Sequence, residues 1–364
     1  MKILASNFDP HNTKHDRFVD CWTKLFEQCD TLRLAVGYAT NDSLLYLKSL
    51  VEWNQPKQLD FCIGMATFDG LYKSQVSALT QLDSLLTGGD LGGVFVVNQF
   101  PFHGKVQSFT HSNKPIGALV GSSNLSNIVP RQGLYRGNYE VDVLLDTNAE
   151  VQQVDSFVKG LIFSSSVPLS VALPKLRIIP DQNPLLQGRF GVKIVKSDEL
   201  ERIKDDITSL SFEIQLKDTP MSNMNVFFGK GRENKHGFVA PRPWYEIEII
   251  PGRSITSLSS YPQLEEFIVY TDDHYRFILK TSGSNNKNLR SRDDLTTIGR
   301  WLKGRLEMDG ALESGKVVDR EVYNRYGRST LTLTKINRYE VDEKTNKQLP
   351  VWFIDFGVRN WEVI

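Results

Sequence analysis

The sequence predicts two domains, an α/β domain with a mixed sheet flanked by helices and then a mainly antiparallel β domain. A chain of 364 residues is longer than one hydrophobic core usually serves. Apolar strands alternate with helical stretches between residue 30 and about residue 160, which is typical of layered α/β domains. From about residue 186, short strands of alternating polarity are separated by Gly, Pro, Asn and Asp, which favours a β barrel or sandwich.

The predicted strands of the first domain are apolar on both faces, as in a sheet covered by helices on both sides. They are LRLAVGYAT (32–40), LDFCIGMA (59–66), GVFVVNQF (93–100), IGALVGSS (116–123) and YEVDVLL (139–145). Helices are predicted over 41–53, about 72–86 and 149–165. Asn41 or Asp42 can cap the first of these helices, in which Leu44, Leu47 and Val51 share one face.

A proline-rich segment separates the two patterns. SSSVPLSVALPKLRIIPDQNP has four prolines and no clear period, so we expect a linker or an irregular edge segment. The predicted boundaries are a first domain over 1–165, a linker over 166–185 and a second domain over 186–364.

The second domain contains seven predicted strands and one helix. The strands are GRFGVKIVK (188–196), SLSFEIQL (209–216), WYEIEIIP (244–251), EEFIVYTDD (265–273), YRFILKTSG (275–283), STLTLTKINRYE (329–340) and VWFIDF (351–356). The helix is predicted over 293–310, with Asp293 or Asp294 as its cap and a buried face formed by Leu295, Ile298, Leu302 and Leu306.

Composition excludes several classes of protein. The net charge is zero, so a nucleic-acid surface has to be a local patch. The three cysteines, Cys21, Cys29 and Cys62, indicate no disulfide framework and have no zinc-site spacing, so a reducing cytoplasm is expected. The sequence has no apolar run of about 18 residues for a membrane span and no GxxxxGK[ST] nucleotide loop.

Two short polar stretches carry the chemistry of the first domain. FHGKVQSF places His103 and Lys105 two residues apart, and GALVGSSNLS does the same for Ser122 and Asn124. In neighbouring strands such pairs aim at one spot. Neutral imidazole is a nucleophile near pH 7, while ammonium, hydroxyl and carboxamide groups can donate hydrogen bonds to phosphoryl oxygens as charge develops.

The conjunction of HxK and GSxNxS resembles the catalytic motif of the phospholipase D superfamily. In GNYEVDVLL, Glu140 matches a glutamate of the small nucleases of that superfamily, and it could fix the tautomer of the imidazole. The superfamily uses two copies of the motif, whereas this chain has one HxK. The resemblance therefore implies a homodimer in which one His103 attacks to form a phosphohistidine and its symmetry mate protonates the leaving oxygen, without a metal cofactor.

The chain departs from the superfamily pattern at one position. Many members have an aspartate five residues after the lysine, where this sequence has Thr110. That difference disfavours a lipid-type enzyme and puts more weight on Glu140. Arg131 and Arg136, in the longer loop before Glu140, could approach phosphate.

Positive charge is concentrated in two segments of the second domain. Four Lys or Arg and one Glu lie between Phe228 and Trp244, and eight Lys or Arg with two Asp lie in 276–305. Arg and Asn read base edges, and Lys neutralises phosphate. The candidate DNA-binding residues are Arg232, Asn234, Lys235 and Arg242 in the early segment and Asn286, Lys287, Asn288, Arg290 and Arg292 in the late segment.

The order of the whole chain resembles restriction endonucleases of the BfiI and NgoAVII type. These join a phospholipase D-like nuclease domain to a DNA-recognition pseudobarrel like the plant B-three domain, in which two arms enter the major groove. The resemblance implies double-stranded DNA as substrate. In part of this group the nuclease works with a separate helicase-like ATPase, and any such dependence here would come from a partner, because this chain has no nucleotide loop. A cognate DNA methyltransferase in the same system is the other partner that the resemblance suggests.

Other interpretations of the same residues remain open. A histidine in a strand can be a packed core residue, Glu140 can be a structural carboxylate, and charged segments are often solvated loops. The rival functions are a phospholipase D-type lipid hydrolase and a DNA-binding regulator whose catalytic domain is inactive.

Overall fold

The computed structural model of the protein describes residues 1–8, 11–130, 138–179, 186, 189 and 191–357. In these residues the strands are β1 (Lys2–Ala5), β2 (Asp16–Arg17), β3 (Thr31–Val36), β4 (Gln58–Ile63), β5 (Leu71–Tyr72), β6 (Gly92–Val97), β7 (Lys105–His111), β8 (Lys114–Gly121), β9 (Val141–Leu145), β10 (Ser166–Pro168), β11 (Ile178–Ile179), β12 (Lys193–Ile194), β13 (Ile207–Gln215), β14 (Arg232–Glu233), β15 (Val239–Ala240), β16 (Glu266–Thr271), β17 (Tyr275–Ser282), β18 (Asn288–Ser291), β19 (Thr330–Val341) and β20 (Gln348–Asp355).

The helices follow in the same way. They are α1 (Phe18–Gln28), α2 (Asn41–Asn54), α3 (Ala66–Asp69), α4 (Lys73–Gly88), α5 (Asn148–Ser165), α6 (Leu169–Ala172), α7 (Ser197–Lys204), α8 (Arg253–Thr256), α9 (Thr297–Met308) and α10 (Arg320–Tyr326). Short 3₁₀ turns cover Leu125–Ile128, Leu173–Lys175, Asn223–Phe228 and Ser284–Asn286. Within the described part of the chain, no helix has the length and apolar character needed to cross a membrane.

The described residues divide into two compact units. The first contains the described parts of 1–130 and 138–179 together with 231–243, and the second contains those of 186–230 and 244–357.

The main sheet of the first unit is mixed, as predicted. Its strand order is β10-β6-β4-β3-β7-β8-β9-β1-β2, with β3, β4 and β6 parallel and β7, β8 and β9 antiparallel to their neighbours. One face of β7 meets α1, where Trp22 donates from Nε1 to Oε1 of Gln107 at 2.6 Å. The other face meets α5, where Ser108 donates to Oδ1 of Asp155 at 2.9 Å. Helices therefore cover both faces.

The strand register brings four strand ends to one edge of this sheet. The last residue of β3, Val36, lies opposite Lys105 at the start of β7. The register of β7 with β8 and of β8 with β9 then places Gly121 and the start of β9 at the same edge. The chain segments that follow β3 and β8, and those that precede β7 and β9, must therefore meet there.

The segment expected to be a linker contributes ordered structure to the first unit. Residues 166–168 pair with β6 as an antiparallel edge strand, and β11 pairs with β5. Between them Leu169, Ala172 and Leu176 are buried, whereas Val171 is exposed. The prolines obscure the periodicity of this segment in the sequence. They do not prevent its packing on the first unit, because edge strands and short turns tolerate proline.

The second unit contains a mainly antiparallel sheet. The strand order is β12-β17-β16-β20-β19-β13, with β18 paired to β17, and β16 and β20 are the parallel pair. Among the described residues this path is open, because β12 and β13 lie at its two ends.

Two local predictions for the second unit were wrong. Residues 244–251 form no strand and make one isolated bridge, Ile249 to Leu289. They are instead buried against α9, where a Cβ on Gly299 would lie 1.8 Å from the carbonyl oxygen of Tyr245. The helix α9 itself begins after Thr296, because Asp294 accepts from the Thr296 backbone at 2.8 Å. In the first unit, the N-cap of α2 is Thr40 rather than the predicted Asn41 or Asp42.

Candidate active site and DNA-contacting surface

His103 lies in the short segment before β7, and two glycines make room for it. A Cβ on Gly64 would lie 2.0 Å from the carbonyl oxygen of Phe102, and one on Gly37 would lie 3.0 Å from Cδ2 of His103. Both glycines directly follow strands of the parallel part of the sheet. The chain around His103 can therefore pass closely over the ends of β3 and β4.

Lys105 is buried beneath the imidazole of His103. Its Nζ lies 3.0 Å from Nε2 and 3.2 Å from Nδ1 of His103, and it donates to the His103 carbonyl oxygen at 2.6 Å. Burial lowers the pKa of Lys105 from its ordinary value, and the charge of Glu140 opposes that change. The ammonium can thus serve both the ring and a phosphoryl oxygen bound beside it.

The GSSNLS loop leaves the end of β8 and is held by the start of β9. The Ser122 hydroxyl accepts from the backbone N–H of Val141 at 3.0 Å. Ser123 is buried, and its backbone N–H and hydroxyl donate to the two oxygens of Asp142 at 3.0 and 2.6 Å. Burial raises the pKa of Asp142, against the hydrogen bonds from Ser123. This carboxylate fixes the loop that carries Ser122 and Asn124.

Tyr38 contacts both halves of the motif. Its ring meets the His103 ring edge-on with centroids 5.4 Å apart, and its backbone N–H donates to Oδ1 of Asn124 at 3.3 Å. Its hydroxyl donates to Oδ2 of Asp69 at 2.6 Å. Because Oδ1 of Asn124 is engaged, its amide NH₂ is the group left to donate to a substrate oxygen.

Glu140 immediately precedes β9 and is half-buried. Its backbone N–H donates to the Ser6 hydroxyl at 2.8 Å, and the charge of its carboxylate acts on Lys105. The role expected for Glu140 at the imidazole stays a prediction. Thr110 lies near the other end of β7, opposite Thr31.

The structure therefore brings His103, Lys105, Ser122, Asn124 and Glu140 to one edge of the sheet. Tyr38 and Asp142, which hold this group in place, were missed by sequence reasoning. Asp142 lies two residues after Glu140 in GNYEVDVLL, and this pair of acidic residues at strand spacing is the feature of the sequence that could have identified it. Arg131 and Arg136 lie outside the described residues. In the described part of the chain, no group of three or more His, Cys, Asp or Glu side chains could hold a metal ion.

Comparison with protein families accounts for both parts of the chain. The model described as the NgoFVII restriction endonuclease N-terminal PLD domain matches residues 16–167, and the NgoFVII C-terminal B3-like DNA-binding domain matches residues 202–337. The chain belongs to the NgoFVII restriction endonuclease family. A comparison with curated proteins gave no match. The residues at the sheet edge lie within the match to the NgoFVII PLD domain.

The early basic segment of this NgoFVII-family chain forms the hairpin β14–β15. Asn234 organises the turn, because its Oδ1 accepts from the backbone N–H groups of His236 and Phe238, and its Nδ2 donates to Glu27 at 2.8 Å. The carboxamide of Asn54 bonds both the N–H and the carbonyl of Val239 at 2.9 Å. Three of the candidate DNA-binding residues here, Arg232, Asn234 and Lys235, are exposed, and Arg242 is half-buried.

The late basic segment presents a polar face on β17 and β18 within the B3-like match. Asn288 and Arg290 share one face of β18 and lie opposite Ser282 and Lys280 of β17. Among the described residues, Oδ1 of Asn288, Nε of Arg290 and Oγ of Ser282 are buried without a hydrogen-bond partner. Lys287 is exposed beside them. Unpaired donors and acceptors on a basic face suit a polar ligand such as DNA.

Two candidates from the late segment do not join this face. Arg292 is paired with Asp293 at 2.8 Å and with Asp342 at 2.7 Å, and its side chain is 8% exposed. Asn286 is buried, accepts from the Leu264 backbone at 2.7 Å and donates to Gln263. Their observed partners indicate structural roles.

Proposed function

We propose that the protein is a metal-independent, sequence-specific DNA endonuclease that cleaves phosphodiesters through a phosphohistidine on His103. The observation that carries this proposal is the placement of the Lys105 ammonium 3.0 Å from Nε2 of His103, at the sheet edge that also carries Ser122 and Asn124. A nucleophilic ring and several donors at one point suit attack on a charged phosphodiester. The family match supports DNA as the substrate.

In the proposed reaction, a ring nitrogen of one His103 attacks phosphorus and the bond from phosphorus to the leaving oxygen breaks. The His103 of a second subunit gives its proton to that oxygen. Lys105 and Asn124 donate to the non-bridging oxygens, which carry the growing negative charge. Water then attacks the phosphohistidine, its proton passes to the second histidine, and the first imidazole is regenerated.

The second histidine is proposed to come from a homodimer. The sequence contains one HxK motif, so a second copy of the chain is the source of the same group. An exposed aromatic side chain near His103 supports a second copy of the chain as the partner. Phe157 on α5 is 52% exposed, and its ring centroid lies 6.3 Å from that of Phe102, the residue before His103. We expect Phe157→Glu to yield monomers in sedimentation and to abolish cleavage, while Ser156→Glu, one residue away on the same helix, keeps both.

The second unit is proposed to be the recognition domain, a B-three-like pseudobarrel. Arg290 and Asn288 would read base edges while Lys280 and Lys287 neutralise phosphates. The early hairpin, which belongs to the first unit, would supply a second set of contacts through Arg232, Lys235 and Arg242, while Asn234 fixes its turn. A helicase-like ATPase and a methyltransferase are the proposed partners of such a nuclease in its restriction system.

Plasmid cleavage in excess EDTA tests the proposed function. Wild type alone is expected to cut in EDTA. A second condition omits EDTA and adds the candidate ATPase subunit with ATP and the magnesium that this subunit requires. His103→Ala is expected to be inactive under both conditions, and His111→Ala, at the other end of β7, is expected to cut like wild type. Equal cleavage by His103→Ala would refute the proposal. DNA binding without cleavage under every condition would instead favour a regulator with an inactive nuclease domain.

A further inference from the structure

A cleft of about 370 Å³ opens on the second unit between residues 259–265 and strands β19 and β20. Its volume falls within the range of roughly 300–1,000 Å³ that is usual for small-molecule sites. Tyr261 and Trp352 line it and are almost completely buried, while Tyr339 at its rim is 62% exposed. The phosphodiesterase site and the β17–β18 face do not use these residues.

Two polar atoms of the cleft residues have no hydrogen-bond partner among the described residues. They are Nε1 of Trp352 and the hydroxyl of Tyr261, and both are buried. Buried indole and phenol groups usually find a partner, and unpaired ones are unfavourable. Tyr261 and Trp352 therefore bring to the cleft two aromatic side chains, each with a donor group that no described residue pairs.

Two charged side chains further define the ligand. Nζ of Lys335 lies 6.0 Å from the centroid of the Trp352 ring, and Glu265 lines the same cleft. Burial raises the pKa of Glu265, and the nearby Lys335 opposes that rise. This set of groups suits a flat heteroaromatic ring that carries both acceptors and N–H groups. The aromatic side chains can stack on such a ring, the N–H and O–H donors and the Lys335 cation match its acceptors, and the carboxylate matches its N–H groups. Nucleobases have this chemistry.

The rim of the cleft holds an exposed leucine in a strained conformation. Leu264 is 72% exposed and has φ of 50°, a left-handed conformation that is rare for bulky residues. Its backbone N–H donates to Oδ1 of Asn286, so the late basic segment holds it in place. Strain of this kind collects at ligand clamps, and exposed apolar side chains can insert between the base steps of DNA.

We propose that this cleft is a nucleobase-binding site. The base comes either from a free nucleotide or from DNA, out of which it is extruded while Leu264 occupies the vacated place in the stack. The link from Leu264 through Asn286 to the late segment connects the cleft to the proposed DNA-contacting strands. The site does not depend on the chemistry of His103.

The indole N–H resonance of Trp352 reports directly on this site. In the full-length protein it is assigned among the six tryptophans by its loss in Trp352→Phe. The probes are the four deoxynucleoside monophosphates, and matched DNA duplexes with and without a mismatched base pair. At least one probe is expected to shift the resonance. Tyr339→Ala should weaken the affinity for that probe at least about fivefold, because base stacking on an aromatic ring is worth at least that factor. Leu258→Ala, an exposed leucine nearby, should not.

The responses separate the two sources of the base. A shift with monophosphates indicates a free-nucleotide site. A shift with mismatched duplex alone, weakened in Leu264→Ala, indicates an extruded base. No shift with any probe, or a shift that Tyr339→Ala leaves unchanged, overturns the proposal. His103→Ala should retain every shift, so a failure of the proposed nuclease function is distinguishable from a failure of this site.

Discussion

The Lys105 ammonium lies 3.0 Å from Nε2 and 3.2 Å from Nδ1 of His103, so a buried cation and the imidazole act as one unit. Glu140 belongs to the same electrostatic group, because its charge opposes the effect of burial on Lys105. This arrangement makes the protonation state of Lys105 depend on a residue that follows it by 35 positions.

Glu140→Gln is expected to move the alkaline limb of the cleavage profile to lower pH. Burial lowers the pKa of Lys105 and Glu140 raises it, so removal of the carboxylate lowers it further. The positive charge that stabilises the phosphoryl oxygens is then lost at a lower pH. Single-turnover cleavage rates across pH measure the effect, with Glu150→Gln on α5 as the control. A shift of the limb to higher pH would contradict this electrostatic account.

Asp142→Ala is expected to loosen the GSSNLS loop and to reduce both stability and cleavage. The two buried donors of Ser123 lose their acceptor, at a cost of about 1–3 kcal/mol in the free energy of unfolding. Urea unfolding of Asp142→Ala, Ser123→Ala and the double variant measures the coupling between the two residues. The double variant should cost less than the sum of the single changes. Strict additivity would show that the pair does not act as a unit.

Arg290 and Arg292 are expected to give opposite phenotypes although they lie two residues apart. Arg292→Ala should cost about 3–5 kcal/mol of stability, since it removes the cation from the buried Asp342 and leaves Asp293 with Lys344. Arg290→Ala should leave stability unchanged and weaken DNA binding. Because Arg290 is proposed to read a base edge, its loss should lower the affinity for the recognised sequence with little change in the log–log slope of affinity against salt. Thermal melts and salt titrations separate the two; a stable Arg292→Ala variant would count against the structural role.

The unfolding free energy is expected to fall as pH rises from about 4 to about 7, through Asp272. Burial raises the pKa of Asp272 to about 7, although Arg305 opposes the rise. The folded state therefore binds more protons than the unfolded state in this window, and that stabilisation is lost as pH approaches the folded value. One such group contributes at most about 1.4 kcal/mol per pH unit. Asp272→Asn should flatten the plot of unfolding free energy against pH. An unchanged slope would mean that other groups cause the pH dependence.

The sequence predicted the sheet of the first unit and the grouping of His103, Lys105, Ser122 and Asn124 at its edge because both depend on local patterns. Apolar strands follow one another along the chain, and HxK and GSxNxS each lie within a few residues. The supports Tyr38 and Asp142 depend on the strand register, which joins residues far apart in the chain. Single-sequence periodicity does not contain that register.

The second unit was harder to predict for a related reason. Residues 244–251 have the alternation of a strand, but their burial comes from packing on α9 rather than from strand pairing. Arg290 and Arg292 look equivalent in the sequence, and the carboxylate of Asp342, 50 residues later, makes them different. Composition identified the basic segment, and three-dimensional partners decided which of its residues remain available.

The stereochemical course at phosphorus tests the central claim most directly. Once the cleaved bond is mapped, a duplex with a phosphorothioate of defined configuration at that bond is cut in ¹⁸O-labelled water, and the configuration of the product is determined. Attack by His103 followed by attack by water gives two inversions, so the account predicts overall retention. Inversion would mean that water attacks the DNA directly, and it would contradict a phosphohistidine intermediate.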